Sequence, residues 1–124
     1  MDILIIEDNS QVRELLGAQI ACIAGVSRVR HAADGRAGLQ AIAETSPDLL
    51  VLDLHLPLVN GFAVLDLLRV AGTQIPVIVM SSYGEYRAIS IAKGARFFFD
   101  KATETDGLFA TVTRMAAEPG IVAR

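Results

Sequence analysis

The sequence predicts an α/β fold, a five-stranded parallel sheet doubly wound with five helices, and three observations predict it. Short apolar runs recur along the chain (DILII, LLVLD, VIVM and RFFFD among them), and each stops on polar residues. The central runs carry no polar alternation, as expected of strands covered by helices on both faces. Between the runs lie segments whose apolar residues fall at helical spacing, punctuated by Gly and Pro.

Taken in order, Asp2 to Ile6 is a buried strand that ends on Glu7 and Asp8. From Ser10 to Ala24, Val12, Leu15, Leu16, Ile20 and Ile23 line one helix face, and Gly25 stops the helix. Taken alone, Asp8 reads equally as a site acid or as a capping box with Gln11. Val26 to Ala32 is a less buried strand with Arg28 and Arg30 on a wet face. A helix over Arg36–Thr45 turns Leu39, Ile42 and Ala43 inward, and Ser46, Pro47 and Asp48 break it.

Leu49 to Asp53 is the central strand. A strand buried on both faces cannot hold a charge in its middle, so Asp53 belongs at its C-terminal edge. After Pro57 and Gly61 comes a helix over Phe62–Ala71, with Leu65 and Leu68 inward and Gly72 as its stop. Pro76 opens the fourth strand, which runs to Met80 and ends on Ser81 and Ser82. The fourth helix, Glu85 to Lys93, should turn Ala88, Ile91 and Ala92 to the core, with Gly94 as its cap. Arg96 to Asp100 is the fifth strand, closed by Lys101, and Thr103 and Asp106 are candidate caps for a last helix to Ala117. The reading is one domain over residues 1–118, a short tail over 119–124, and no output domain. Strands alternating with helices over short connections fit the flavodoxin-like order 2-1-3-4-5, whose ligand crevice opens where strands one and three part.

Composition excludes several classes. The net charge is −3, from 14 acids and 11 bases, and the bases are scattered. A nucleic-acid surface needs clustered Lys and Arg, so no direct nucleic-acid binding is expected. Although 52% of residues are hydrophobic, the uncharged segments are too short to span a membrane. The lone Cys22 cannot form an internal bridge and reads as a small apolar helix residue, consistent with a cytoplasmic setting.

Four strand ends carry polar groups toward one crevice: Glu7 and Asp8, Asp53, Ser81, and Lys101. Each like-charge pair among the three acids, at about 4 Å and an effective dielectric of about 20, would cost on the order of 4 kcal/mol. A cation is therefore expected. All-oxygen ligands select a hard ion, and Mg²⁺ fits best, with Mn²⁺ able to substitute. His31 and His55 lack the Cys/His neighbours that zinc would need. Mg²⁺, a lysine and a hydroxyl beside a carboxylate nucleophile are the parts that phosphoryl transfer demands.

With LIIEDN, SPDLLVLDLHLPLVNGF, PVIVMSS and GARFFFDK in place, the chain resembles the CheY-like receiver domain of bacterial two-component response regulators, from Asp2 to about Ala117. The resemblance implies that Asp53 is the phosphoacceptor for a phosphohistidine on a histidine kinase or phosphotransfer protein. It implies that Asp8, Asp53 and the backbone carbonyl of His55 ligate Mg²⁺, with Glu7 acting through a water. Lys101 would pair with the phosphoryl group, Ser81 would hydrogen-bond it, and Phe98 would be the switching aromatic. Such a domain is not an enzyme beyond its own phosphorylation and dephosphorylation. It would signal to a downstream protein target through helix four, strand five and helix five, with phosphorylation-linked homodimerisation as one form of output. Ala102 stands where family members usually carry Pro, often in cis, so the Lys101–Ala102 peptide is expected trans.

Beside the phosphoacceptor, His55, Ser82 and Tyr83 are expected to tune water access. Tyr86 and Ile89 are the interface candidates on helix four. The rival reading is a pseudo-receiver, a phosphorylation-independent interaction module, which would need a damaged site. A flavin binder would want a hydroxyl- and Gly-rich loop where EDNSQ stands. A haloacid-dehalogenase-type phosphatase would want an acid at position 55, which is His.

Overall fold

The computed structural model describes residues 1–118. The expected tail, 119–124, lies outside the described residues. Five strands, β1 (Asp2–Ile6), β2 (Arg28–Ala32), β3 (Leu49–Asp53), β4 (Val77–Ser81) and β5 (Phe97–Asp100), form one sheet in the order β2-β1-β3-β4-β5. Every neighbouring pair is parallel. Helices α1 (Ser10–Ala21), α2 (Gly35–Glu44), α3 (Gly61–Val70), α4 (Arg87–Ala92) and α5 (Thr105–Ala117) connect and follow the strands, which bears out the expected fold class.

Successive side chains of a strand point to opposite faces, so each apolar run feeds two cores. Leu4, Ile6, Leu50, Leu52, Val77 and Val79 pack against α2 and α3 on one face. Ile3, Ile5, Leu49, Val51, Ile78 and Met80 pack against α1 and α5 on the other. This double burial is why β1, β3 and β4 carry no polar residue in their interiors, only at an end. It also drives Glu7, Asp53 and Ser81 to the carboxyl edge of the sheet.

Several local expectations are corrected. α1 stops at Ala21, because Cys22 and Ile23 turn their amides back to Gln19 and Ile20 ahead of Gly25, whose φ is 93°. Cys22 is thus exposed at the helix end, not buried inside it. The cap of α1 is Asn9, whose side chain accepts from the Val12 amide at 3.0 Å; Asp8 and Gln11 form no capping box. β2 begins at Arg28, and Arg30 is not on a wet face. Its guanidinium pairs with Asp2 at 3.2 Å and donates to the Ala41 and Thr45 carbonyls, satisfying the end of α2. Asp34 and Asn60 cap α2 and α3 by accepting from the Ala37 and Ala63 amides.

The region after β4 differs most. A 3₁₀ turn, Gly84–Tyr86, precedes a short α4, whose buried residue is Ser90. Ala88, Ile91 and Ala92, expected in the core, are exposed. The extra 3₁₀ turn changes the phase of the helix, and no side-chain cap fixes its start. At α5 the cap position is Glu104, without a side-chain cap bond, so neither Thr103 nor Asp106 caps the helix.

Candidate functional site

The carboxyl ends of β1 and β3 bring Glu7, Asp8 and Asp53 together, with one oxygen from each lying within 4.8 Å of the others. Glu7 and Asp53 are buried, whereas Asp8 is exposed at the mouth. Lys101, just beyond β5, reaches across with Nζ 2.6 Å from Glu7 and 3.0 Å from Asp53. It is the cation that makes the two buried acids tolerable in this state.

The sheet register explains the convergence. Asp53 is level with Met80, and Ser81 is level with Asp100, so the ends of β3, β4 and β5 step around one crevice. Ser81 is fully buried, and its Oγ accepts from the Tyr83 amide at 3.1 Å. The Lys101 amide donates to the Ser81 carbonyl, tying the lysine's backbone to β4. The His55 amide donates weakly to Asp53 Oδ1 at 3.4 Å, orienting the carboxylate from the loop after β3.

Two local features hold that loop. Gly61 donates to the Leu54 carbonyl at 2.9 Å, and a Cβ on it would overlap the Asp53 carbonyl oxygen and Leu54 Cα. Only glycine lets α3 start so close to the end of β3. Leu58 takes a left-handed φ of 67°, a conformation that costs a non-glycine residue about 1–2 kcal/mol.

Burial raises the pKa of Glu7; the Lys101 hydrogen bond opposes this and the Asp53 charge adds to it. Burial works against the Lys101 charge as well, but the hydrogen bonds and charges of Glu7 and Asp53 outweigh it and hold its pKa above the ordinary value. The donor set suits a hard ion: three carboxylates, with no His or Cys in the cluster. Among the described residues, Asp8 makes no ion pair, and the single Lys101 ammonium is shared by Glu7 and Asp53, so the three carboxylates, when ionised, keep an excess negative charge for a cation to neutralise.

The remaining expected residues stand nearby with differing exposure. His55, Ser82 and Tyr83 are exposed at the rim, and the His55 and Tyr83 rings meet edge-on at 4.9 Å. Tyr86 is half-buried, edge-on to Phe62 at 5.3 Å, and packs on the core, so of the two interface candidates only Ile89 is exposed. Phe98 is 3% exposed, with the Arg87 guanidinium 4.8 Å from its ring centre.

Sequence reasoning missed Arg13, which donates to the Glu7 carbonyl at 2.8 Å, and the partners Arg87 and Glu104. Scattered single arginines carry no spacing signal that would have marked them.

Comparisons with known proteins agree with this geometry. The family model described as the response regulator receiver domain matches residues 3–113. A protein-glutamate methylesterase/protein-glutamine glutaminase of Treponema denticola is 35% identical over 80 residues, 64% of this chain and 22% of that protein. The nitrate/nitrite response regulator protein NarL of Escherichia coli is 29% identical over 117 residues, 93% of this chain and 54% of that protein. The chain thus spans about half or less of the length of these relatives. The solved receiver domain of NtrX from Brucella abortus superposes with a TM-score of 0.82 at 28% identity, covering 94% of this chain and 99% of that one. No helix among the described residues is long and apolar enough to cross a membrane. An intact acidic crescent on a 2-1-3-4-5 sheet and a family match over residues 3–113 lead to one assignment: this chain belongs to the receiver domains of two-component response regulators.

Proposed function

We propose that the chain, acting in the cytoplasm, receives a phosphoryl group on Asp53 from a phosphohistidine of a histidine kinase or phosphotransfer protein. One observation carries this reading: Asp53 is buried at the end of β3, within 4.8 Å of two further carboxylates and 3.0 Å from the Lys101 ammonium. An Asp53 oxygen attacks phosphorus, the phosphorus–nitrogen bond breaks, and the donor imidazole leaves with its electron pair and takes up a proton. An acyl phosphate remains on Asp53.

Lys101 balances charge on the incoming oxygens, and Ser81 turns its hydroxyl from the Tyr83 amide toward one of them. Mg²⁺ would be held by Asp8, Asp53 and the His55 carbonyl, with Glu7 behind a water, and would supply further charge neutralisation. His55, Ser82 and Tyr83 at the rim govern water access to the acyl phosphate. Downstream protein targets would read the α4–β5–α5 surface, where Ile89 is exposed, and pairing of two phosphorylated copies is one form of that output. The chain itself is no enzyme beyond its own phosphorylation and dephosphorylation.

A pseudo-receiver has no support, since Glu7, Asp8, Asp53, Ser81 and Lys101 are all in place. Intact mass after incubation with Mg²⁺ and acetyl phosphate tests the proposal. The wild type is expected to gain one phosphoryl group, and Asp53→Asn and a chelator-treated sample none. Equal gain in Asp53→Asn would overturn it.

A further inference from the structure

Arg87 is the first residue of α4, and its guanidinium makes three contacts at once. It donates to the Phe98 carbonyl at 2.9 Å, donates to Glu104 Oε1 at 2.7 Å, and lies 4.8 Å from the centre of the Phe98 ring. Among the described residues no other side chain of α4 hydrogen-bonds or ion-pairs to β5 or to the loop after it.

Glu104 is equally connected. The same oxygen that takes Arg87 also accepts from the Asp100 amide at 2.9 Å. Asp100 in turn accepts from the Ala102 and Thr103 amides at 2.7 and 3.3 Å. Two carboxylates therefore shape the loop that carries Lys101, in a trans conformation with no proline. The Asp100 amide, then Arg87, hold the Glu104 carboxyl below its ordinary range.

The other end of this network reaches the site. Between Ser81 and Arg87 lie only five residues, and the Tyr83 amide hangs on Ser81 Oγ. Movement of Ser81 Oγ toward a phosphoryl oxygen would draw it from the Tyr83 amide and loosen the segment that leads to Arg87. Phe98 has little room to respond, being buried beneath the guanidinium.

We propose that Arg87, clasped to Glu104 and laid over Phe98, is the latch that holds the resting state and is opened when Asp53 is phosphorylated. The proposal rests on Asp53 being the phosphoacceptor. Because coupling is reciprocal, a latch that phosphorylation must open also resists phosphorylation, and removing it makes the active arrangement easier to reach.

The test is the rate of phosphorylation of the full chain by acetyl phosphate with Mg²⁺, together with amide hydrogen exchange of the unphosphorylated protein. Arg87→Ala and Glu104→Gln should each raise the rate about twofold to fivefold, the range an exposed ion pair commands. The double variant should gain no more than either single one, and Arg87→Lys should fall between wild type and Arg87→Ala. Exchange should quicken at the start of α4 and in the 100–104 loop for either single variant. Unchanged or slower phosphorylation, additive effects, or unchanged exchange at both segments would overturn the latch. A wild type that takes no phosphoryl group would overturn the reading of Asp53 instead, and the exchange result alone would then decide whether the clasp restrains α4.

Discussion

At the scale of single residues, the balance of the site turns on Glu7 and Lys101. The folded pKa of Glu7 lies above its ordinary value of 4.5, chiefly through burial. The stability gained from that proton uptake is complete below the ordinary value and is lost as pH rises through the folded pKa. Mg²⁺ binding calls for the ionised form and so competes with the same proton. Calorimetry is therefore expected to show Mg²⁺ affinity falling as pH drops through that window, with proton release on binding. Glu7→Gln should flatten the dependence. A wild-type affinity independent of pH across the same window would contradict this role of Glu7. Arg13, anchored on the Glu7 carbonyl, steadies the backbone that presents both acids and stays outside the charge balance of the carboxylates.

At the scale of elements, the placement of Asp53, the proposed phosphoacceptor, depends on how tightly the β3–α3 connection closes. Gly61 lets the cap of α3 lie against the end of β3, and Asn60 fixes the first turn by accepting from Ala63 at 3.0 Å. Gly61→Ala would press a methyl group on the Asp53 carbonyl oxygen and Leu54. It should cost about 1–3 kcal/mol in urea unfolding, as overpacking does, and slow phosphorylation by more than the stability loss accounts for. A variant as stable and as fast as wild type would mean that the loop relaxes freely. The α4 region is built oppositely: it is short, uncapped, and held by Ser90 burial and Arg87 contacts, which suits the movement proposed for it.

At the scale of the molecule, the sheet divides two cores and gathers the chemistry at one edge, and this much was legible in the sequence. Uninterrupted apolar strands such as Leu49–Leu52 announce burial on both faces, and a polar residue at each strand end then has one place to go. Burial and strand order are carried by patterns of period and position, which a sequence displays directly. Less legible was whatever depends on a single long side chain crossing between elements. Arg30 closing α2 is one case, and Arg87 reaching Glu104 across 17 positions is another. The inner face of α4 was misread because a 3₁₀ turn of three residues rotates the helix behind it, and no residue in Gly84–Tyr86 marks that turn against an ordinary helix start. Asn9 rather than Asp8 caps α1, which leaves Asp8 with its carboxylate in the acidic cluster.

The central claim is that all of this architecture serves one acyl phosphate at one carboxylate. Borohydride reduces an aspartyl phosphate to homoserine, so treating the phosphorylated chain with borohydride and mapping its peptides by mass locates the modified residue. Homoserine is expected at position 53, dependent on Mg²⁺, with Asp8 and Glu7 untouched. Homoserine at position 8, or none in a chain that has gained a phosphoryl group, would contradict the claim.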